Sequence, residues 1–157
     1  TDYLYSELND NAKAYGVTNH RHTPEIEQEL QVVCGCPLTL TFTPHLAPMT
    51  RGILATSYAT LKSGQHARDL YEFYEEFYAD APFVDVEPLG KFPSVHDVAG
   101  SNYCRIGLAV DERNRRLIVV STTDNLIKGA AGQAVQNLNL MIGFPEETNL
   151  PSIALYP

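Results

Sequence analysis

Residues 103–124 read YCRIGLAVDERNRRLIVVSTTD. Both halves are apolar and β-branched, and Asp111-Glu112-Arg113-Asn114 between them is polar and suited to a turn. The stretch therefore predicts two strands joined as a hairpin. Further strands are expected on its N-terminal side. FVDVEP (83–88) and the β-branched, aromatic run ILATSYATL (53–61) both have strand character. PLTLTFTPHL (37–46) alternates Leu38, Leu40 and Phe42 with Thr39, Thr41 and Thr43, the period-2 pattern of a strand with one buried face, and is expected to share a sheet with 53–61. AKAYGV (12–17) adds a short strand.

Helical spacing fills the gaps. Thr23 is positioned as an N-cap with Pro24 in the first turn, and Ile26, Leu30 and Val33 form one apolar stripe that CGCP ends. Between His66 and Ala79, Leu70, Phe73, Tyr74 and Phe77 share a face opposite Asp69, Glu72, Glu75 and Glu76, so this aromatic stripe is expected to be core. KGAAGQAVQNLNLMIGF (128–144) predicts a last helix with small residues on its first turns, stopped by Gly143 and Pro145. The order β-α-β-β-α-β-β-β-α implies an α+β fold: a mixed, mostly antiparallel sheet with helices on one face.

With 157 residues the chain fits one domain, or one domain and a fragment of another. A net charge of −8 without a basic stripe disfavours nucleic-acid and anionic membrane surfaces, and no apolar run is long enough to span a bilayer. Three cysteines, Cys34, Cys36 and Cys104, do not make a disulfide framework; a reducing, cytoplasmic setting is expected. Cys34 and Cys36 are too close in sequence for comfortable bridging. The opening segment TDYLYSELNDN carries neither an initiator Met nor a targeting pattern, as expected of a processed chain or an excised piece.

The stretch HRHTPEIEQ (20–28) places His20, Arg21 and His22 where the chain turns into a helix. An imidazole there suits a general base, and the guanidinium suits a carboxylate or phosphate. A metal site built from His20, His22, Cys34 and Cys36 is disfavoured, because H-x-H and C-x-C lack the usual zinc intervals. FTPHLAPMTRG (42–52) places His45 and Arg51 in a loop, with pairing to an acidic side chain as the alternative for Arg51. GAAGQ is no dinucleotide fingerprint, since G-x-G-x-x-G is absent.

Three ordered motifs, HRHTPEIEQEL, FTPHLAPMTRGIL and KGAAGQAVQNLNLMIG, resemble the C-terminal half of N-acetyl-gamma-glutamyl-phosphate reductases, from about AYGV to the end. The resemblance implies a domain like the C-terminal domain of glyceraldehyde-phosphate dehydrogenases. Residues 1–127 would be the substrate and dimerisation part, and residues 128–157 a helix and tail returning to an NADP-binding domain. It implies NADP-dependent reduction of an acyl phosphate through a cysteine thioester, in arginine biosynthesis, by a homo-oligomer, a dimer or tetramer. The NPGCYPT-like nucleophile motif of the family is not present, and CGCPLT follows the HRH helix rather than preceding a helix, so the nucleophile is expected elsewhere. By the same resemblance His22, then His20, is the acid/base; Arg21, Arg51 and His45 contact substrate; and Gln133 and Asn137 reach the nicotinamide. A non-catalytic dimerisation module, or the same domain of an aminoadipyl- or aspartyl-phosphate reductase, are the alternatives.

Overall fold

The structure, a computed structural model, describes residues 4–62 and 64–155. It divides into two compact units, Thr1–Thr50 and Arg51–Pro157. The first carries α1 (Tyr5–Leu8), β1 (Lys13–Ala14), α2 (Thr23–Cys34) and β2 (His45–Leu46), with β1 and β2 paired antiparallel. The second carries β3 (Ile53–Thr60), α3 (Ala67–Phe77), β4 (Val84–Val86), a 3-10 turn (Val95–Val98), β5 (Cys104–Asp111), β6 (Arg116–Thr123), a π turn (Ile127–Ala131) and α4 (Gly132–Ile142). Its sheet has the order β3-β6-β5-β4, in which only the β4–β5 pair is parallel. The α+β class and the mostly antiparallel sheet are those expected from sequence.

The hairpin is the centre of this sheet. Cys104 pairs with Thr123 and Asp111 with Arg116, and the Asp111 carboxylate accepts the N–H groups of Arg113 and Asn114, closing the turn. Arg115 takes the left-handed conformation, at φ +49°, so the reversal runs through residues 112–115, one later than the sequence indicated. Residues directly opposite on paired strands share a face. Ile106, Leu108 and Leu117 thus turn to one side, where Leu70, Tyr74 and Tyr78 pack on them. Gly107 turns to the other side, and a Cβ there would approach the Lys91 carbonyl to 2.8 Å, so segment 91–93 runs directly over the sheet.

Three sequence expectations fail for identifiable reasons. Segment 37–44 forms no ladder and does not join the sheet of β3. Side chains of α2 take its backbone groups instead: Leu40 N–H donates to Glu27 Oε1 (3.0 Å), and Gln31 Nε2 donates to Leu38 O (2.8 Å). The alternation still sets the faces, with Leu38, Leu40 and Phe42 half-buried and the threonines exposed. The aromatic stripe of α3 is split, since Phe73 and Phe77 lie outside while Leu70 and Tyr74 face the sheet, the rotation of about 100° from one residue to the next being enough to divide a wide stripe. In α2, Val33, the end of the predicted stripe, is 84% exposed.

The last helix is inverted in polarity. Gln136 and Asn139 are buried, whereas Leu138, Leu140, Met141 and Ile142 are exposed. The buried amides are held by partners: Gln136 Oε1 accepts from Asn102 Nδ2 (2.8 Å) and Lys128 Nζ (2.7 Å), and Gln136 Nε2 donates to Glu146 Oε2 (2.9 Å). Asn139 Nδ2 donates to the carbonyls of Glu146 and Thr148. Buried polar groups satisfied in this way are tolerated. Gly132 is where the helix meets Asn102 and Ile127 closely, which accounts for the small residues at its start.

Leu108→Ala is expected to lower stability by about 2–5 kcal/mol through lost burial and the cavity left behind, whereas Phe73→Ala should change it by no more than about 0.5 kcal/mol. Urea unfolding midpoints for the two variants test the division of the α3 stripe.

Candidate functional site

In the first unit the β1–β2 pair and the bond from Tyr15 N–H to Pro44 O (3.1 Å) bring residues 13–15 alongside 44–46. Gly16 follows at φ +56°, and a Cβ there would lie 2.9 Å from His20 Cδ2. Glycine is therefore required both for the conformation and for the approach. Past this bend, the His20 ring meets Tyr15 (5.4 Å), His22 (5.0 Å) and Phe42 (5.1 Å) edge-on between ring centroids. These are favourable aromatic geometries. His20 Nδ1 accepts the His22 backbone N–H at 3.2 Å, which leaves Nε2 to carry the proton of the neutral ring.

His22, and not Thr23, is the N-cap of α2. Its backbone is already helical at φ −82° and ψ −12°, because turn bonds from Thr23 N–H to His20 O and from Ile26 N–H to His22 O start the helix earlier than a threonine cap would. The Thr23 hydroxyl is left buried without a partner. The result is a half-buried, caged His20 beside an exposed His22 and an exposed Arg21, at the helix end that favours anions. His45 lies in β2 opposite Ala14, exposed, with Nδ1 3.1 Å from Thr43 O.

The second unit holds the other candidates. Arg51, just before β3, places Nη2 2.6 Å from Asp124 Oδ2, so the expected alternative of an acidic partner is realised, but with a buried one: the Arg51 side chain is 40% exposed and that of Asp124 is inaccessible. Asp124 also accepts N–H bonds from Gly100 (2.6 Å), Leu126 (2.8 Å) and Ile127 (2.9 Å). Burial raises the Asp124 pKa, and the three backbone donors with Arg51 outweigh it, leaving the carboxyl below its ordinary value. Gly52 N–H donates to the neighbouring Asn125 Oδ1 (2.7 Å). On α4, Gln133 Nε2 donates to Asn137 Oδ1 (3.0 Å).

The structure thus gathers His20, Arg21 and His22 at one helix start and Gln133 with Asn137 on one helix face, while Arg51 is anchored by Asp124. Sequence inspection missed Asp124, Tyr15, Phe42 and Gln136. The signal available for Asp124 was its position with Asn125 directly after an unbroken strand, where a side-chain acceptor caps the next turn.

Solved structures of the same shape are semialdehyde dehydrogenases. Aspartate semialdehyde dehydrogenase II from Vibrio cholerae aligns with a TM-score of 0.66 at 19% identity, over 80% of this chain and 38% of that one. A probable aspartate-semialdehyde dehydrogenase from Pseudomonas aeruginosa aligns with a TM-score of 0.65 at 21% identity, over 86% and 42%. At these identities the likeness is one of fold. The family model described as semialdehyde dehydrogenase, dimerisation domain, matches residues 1–125, and the chain belongs to this family. Among its relatives, the N-acetyl-gamma-glutamyl-phosphate reductase of Geobacter metallireducens is 59% identical over 155 residues, 98% of this chain and 45% of the relative. That of Symbiobacterium thermophilum is 57% identical over 147 residues, 93% and 42%. The chain spans less than half the length of these relatives. Among the described residues, no helix is long and apolar enough to cross a membrane.

Asp124→Asn should cost about 2–4 kcal/mol, since an amide cannot accept from all four donors and leaves Arg51 unmatched. A carboxyl whose pKa is lower when folded stabilises the fold above its unfolded pKa of about 3.9, and that stability is lost as pH falls through the folded value. Urea unfolding from neutral to acid pH should show the wild type losing this contribution below about pH 4, with a flatter dependence in the variant.

Proposed function

We propose that this chain is the substrate-binding and oligomerisation part of an NADP-dependent N-acetyl-gamma-glutamyl-phosphate reductase, which forms N-acetyl-L-glutamate 5-semialdehyde in arginine biosynthesis, in the cytoplasm. The observation that carries it is the 59% identity, over 155 residues, to the Geobacter metallireducens enzyme of that name. Residues 1–127 serve substrate and subunit contacts, and residues 128–157 face the nucleotide-binding part.

In this reading a cysteine thiolate outside the chain attacks the acyl phosphate, phosphate leaves, and a thioester forms. His22 holds the proton that the thiol gives up and returns one to the hemithioacetal oxygen as charge develops there. Its ring is exposed, and His20, locked by three aromatic edges and by the His22 N–H, fixes the approach of the chain. Arg21 pairs with a substrate carboxylate or phosphate; Arg51 and His45 are further substrate contacts. The Gln133–Asn137 pair leaves Gln133 Oε1 as an acceptor and Asn137 Nδ2 as a donor, a set that matches a nicotinamide carboxamide. The sequence has no G-x-G-x-x-G loop for the phosphates, so this chain suits that end of the cofactor alone. Hydride is what bound NADPH supplies.

The subunit contact is assigned to the sheet face opposite α3. Along β3, Leu54 and the 62% exposed Tyr58 point there, across from Thr122 and Ile118, and Thr56 lies across from Val120. Segment 91–93 covers this face at Gly107 and Thr122 is buried, so the exposed apolar side chains that mark an association surface are those of β3.

In the full-length enzyme, His22→Ala should lower kcat by about 100- to 10,000-fold with KM little changed. Steady-state kinetics with the acyl phosphate checks this, and undiminished kcat would remove His22 from the mechanism. Tyr58→Asp should shift the sedimentation coefficient toward that of a monomer, and an unchanged oligomer would move the contact to another face.

A further inference from the structure

The three cysteines are of two kinds. Cys104 is half-buried on the core side of β5, and burial pushes its thiol up. Cys34 and Cys36 are both exposed, on either side of Gly35. Gly35 ends α2 in the left-handed conformation, φ +66° and ψ 17°, with its N–H on Gln31 O. A Cβ there would meet nothing within 4 Å, so the backbone conformation alone calls for glycine. This reversal turns the two side chains toward each other. The Sγ atoms are 3.2 Å apart, and Cys34 Sγ is 3.1 Å from Cys36 O. Cys34 and Cys36 are close in sequence for comfortable bridging, yet the left-handed Gly35 between them brings their sulfurs together.

We propose that Cys34-Gly35-Cys36 is a thiol–disulfide exchange site whose substrates are small-molecule disulfides, and that it closes to an intramolecular Cys34–Cys36 disulfide. The Cys34 thiolate attacks one sulfur of R–S–S–R, forming a mixed disulfide and releasing RS⁻. Cys36 then loses its proton to solvent and attacks the Cys34 sulfur; the protein S–S bond forms and the second RS⁻ leaves. Two electrons pass from the protein to the small disulfide, and both RS⁻ groups are protonated to thiols. The Cys36 thiol, by hydrogen-bonding to Cys34, holds the Cys34 pKa below its ordinary value, which makes Cys34 the attacking group. A bridge across a single residue is strained, and strained, exposed disulfides are easily reduced, so closure is reversible by ordinary thiols.

The test is to incubate the chain with a large excess of oxidised over reduced glutathione, quench with acid and measure intact and peptide masses. The expected product lacks two hydrogen atoms, has Cys34 linked to Cys36, and reverts with dithiothreitol. Cys36→Ser should halt at the first step and accumulate glutathione on Cys34, while Cys104→Ser closes as the wild type does. A wild-type chain that remains a dithiol, or that carries separate glutathione adducts on Cys34 and Cys36 without a closed form, overturns the proposal. Because both residues are exposed, circular dichroism of the variants should match the wild type, so a failure to react cannot be assigned to unfolding.

Discussion

Asp124 accepts four hydrogen bonds from three separated parts of the chain: Arg51 ahead of β3, Gly100 after the 3-10 turn, and Leu126 and Ile127 at the start of the π turn. A carboxylate removed from water is costly unless such donors replace its hydration. Here all four do so at once, and none of the three segments can shift without stranding the charge. The ends of β3 and β6, already paired at Ile53 and Thr123, are thereby joined to the loop that precedes β5 and to the turn that begins α4. What the hairpin organises through backbone ladders, this carboxylate extends to the irregular segments.

A second polar cluster centres on Gln136 of α4. Asn102 and Lys128 both donate to Gln136, which donates in turn to Glu146, and Asn139 ties α4 to the carbonyls of Glu146 and Thr148. Burial of these groups turns the apolar side of α4 outward, where Met141 is 83% exposed. The hydrophobic core is correspondingly small, centred on Ile106, Leu108 and Leu117. Apolar side chains on α4, on β3 and on the outer side of α3 remain in contact with solvent. This distribution is consistent with membership of a family of dimerisation domains and with a length less than half that of its relatives.

The histidine motif illustrates how local geometry assigns unequal roles to similar residues. His20 and His22 are two positions apart, yet one is packed among Tyr15 and Phe42 and the other heads α2 in the open. Gly16 makes the difference possible, because any side chain there would displace the His20 ring. The same element ends at Gly35, whose left-handed backbone sets the spacing of Cys34 and Cys36.

The sequence by itself determined the elements whose pattern is local. The hairpin, β3 and β4 follow from β-branched and aromatic runs and a polar turn, α3 from helical apolar spacing, and α4 from its small residues and the breakers Gly143 and Pro145, while period-2 alternation determined which side chains of 38–43 point inward. The histidine and arginine candidates were also visible, since their position at a helix start is a local feature. Only the tertiary structure decided what those segments pair with. Residues 38–43 lose their ladder because Glu27 and Gln31, more than six residues away, compete for the backbone. Phe73 and Phe77 face out because the sheet has room for one side of α3. Asp124 becomes a hub because donors distant in sequence converge on it. Periodicity along a chain records which faces exist, but hydrogen-bond partners and burial depend on segments brought together across the sequence, and no local pattern encodes them.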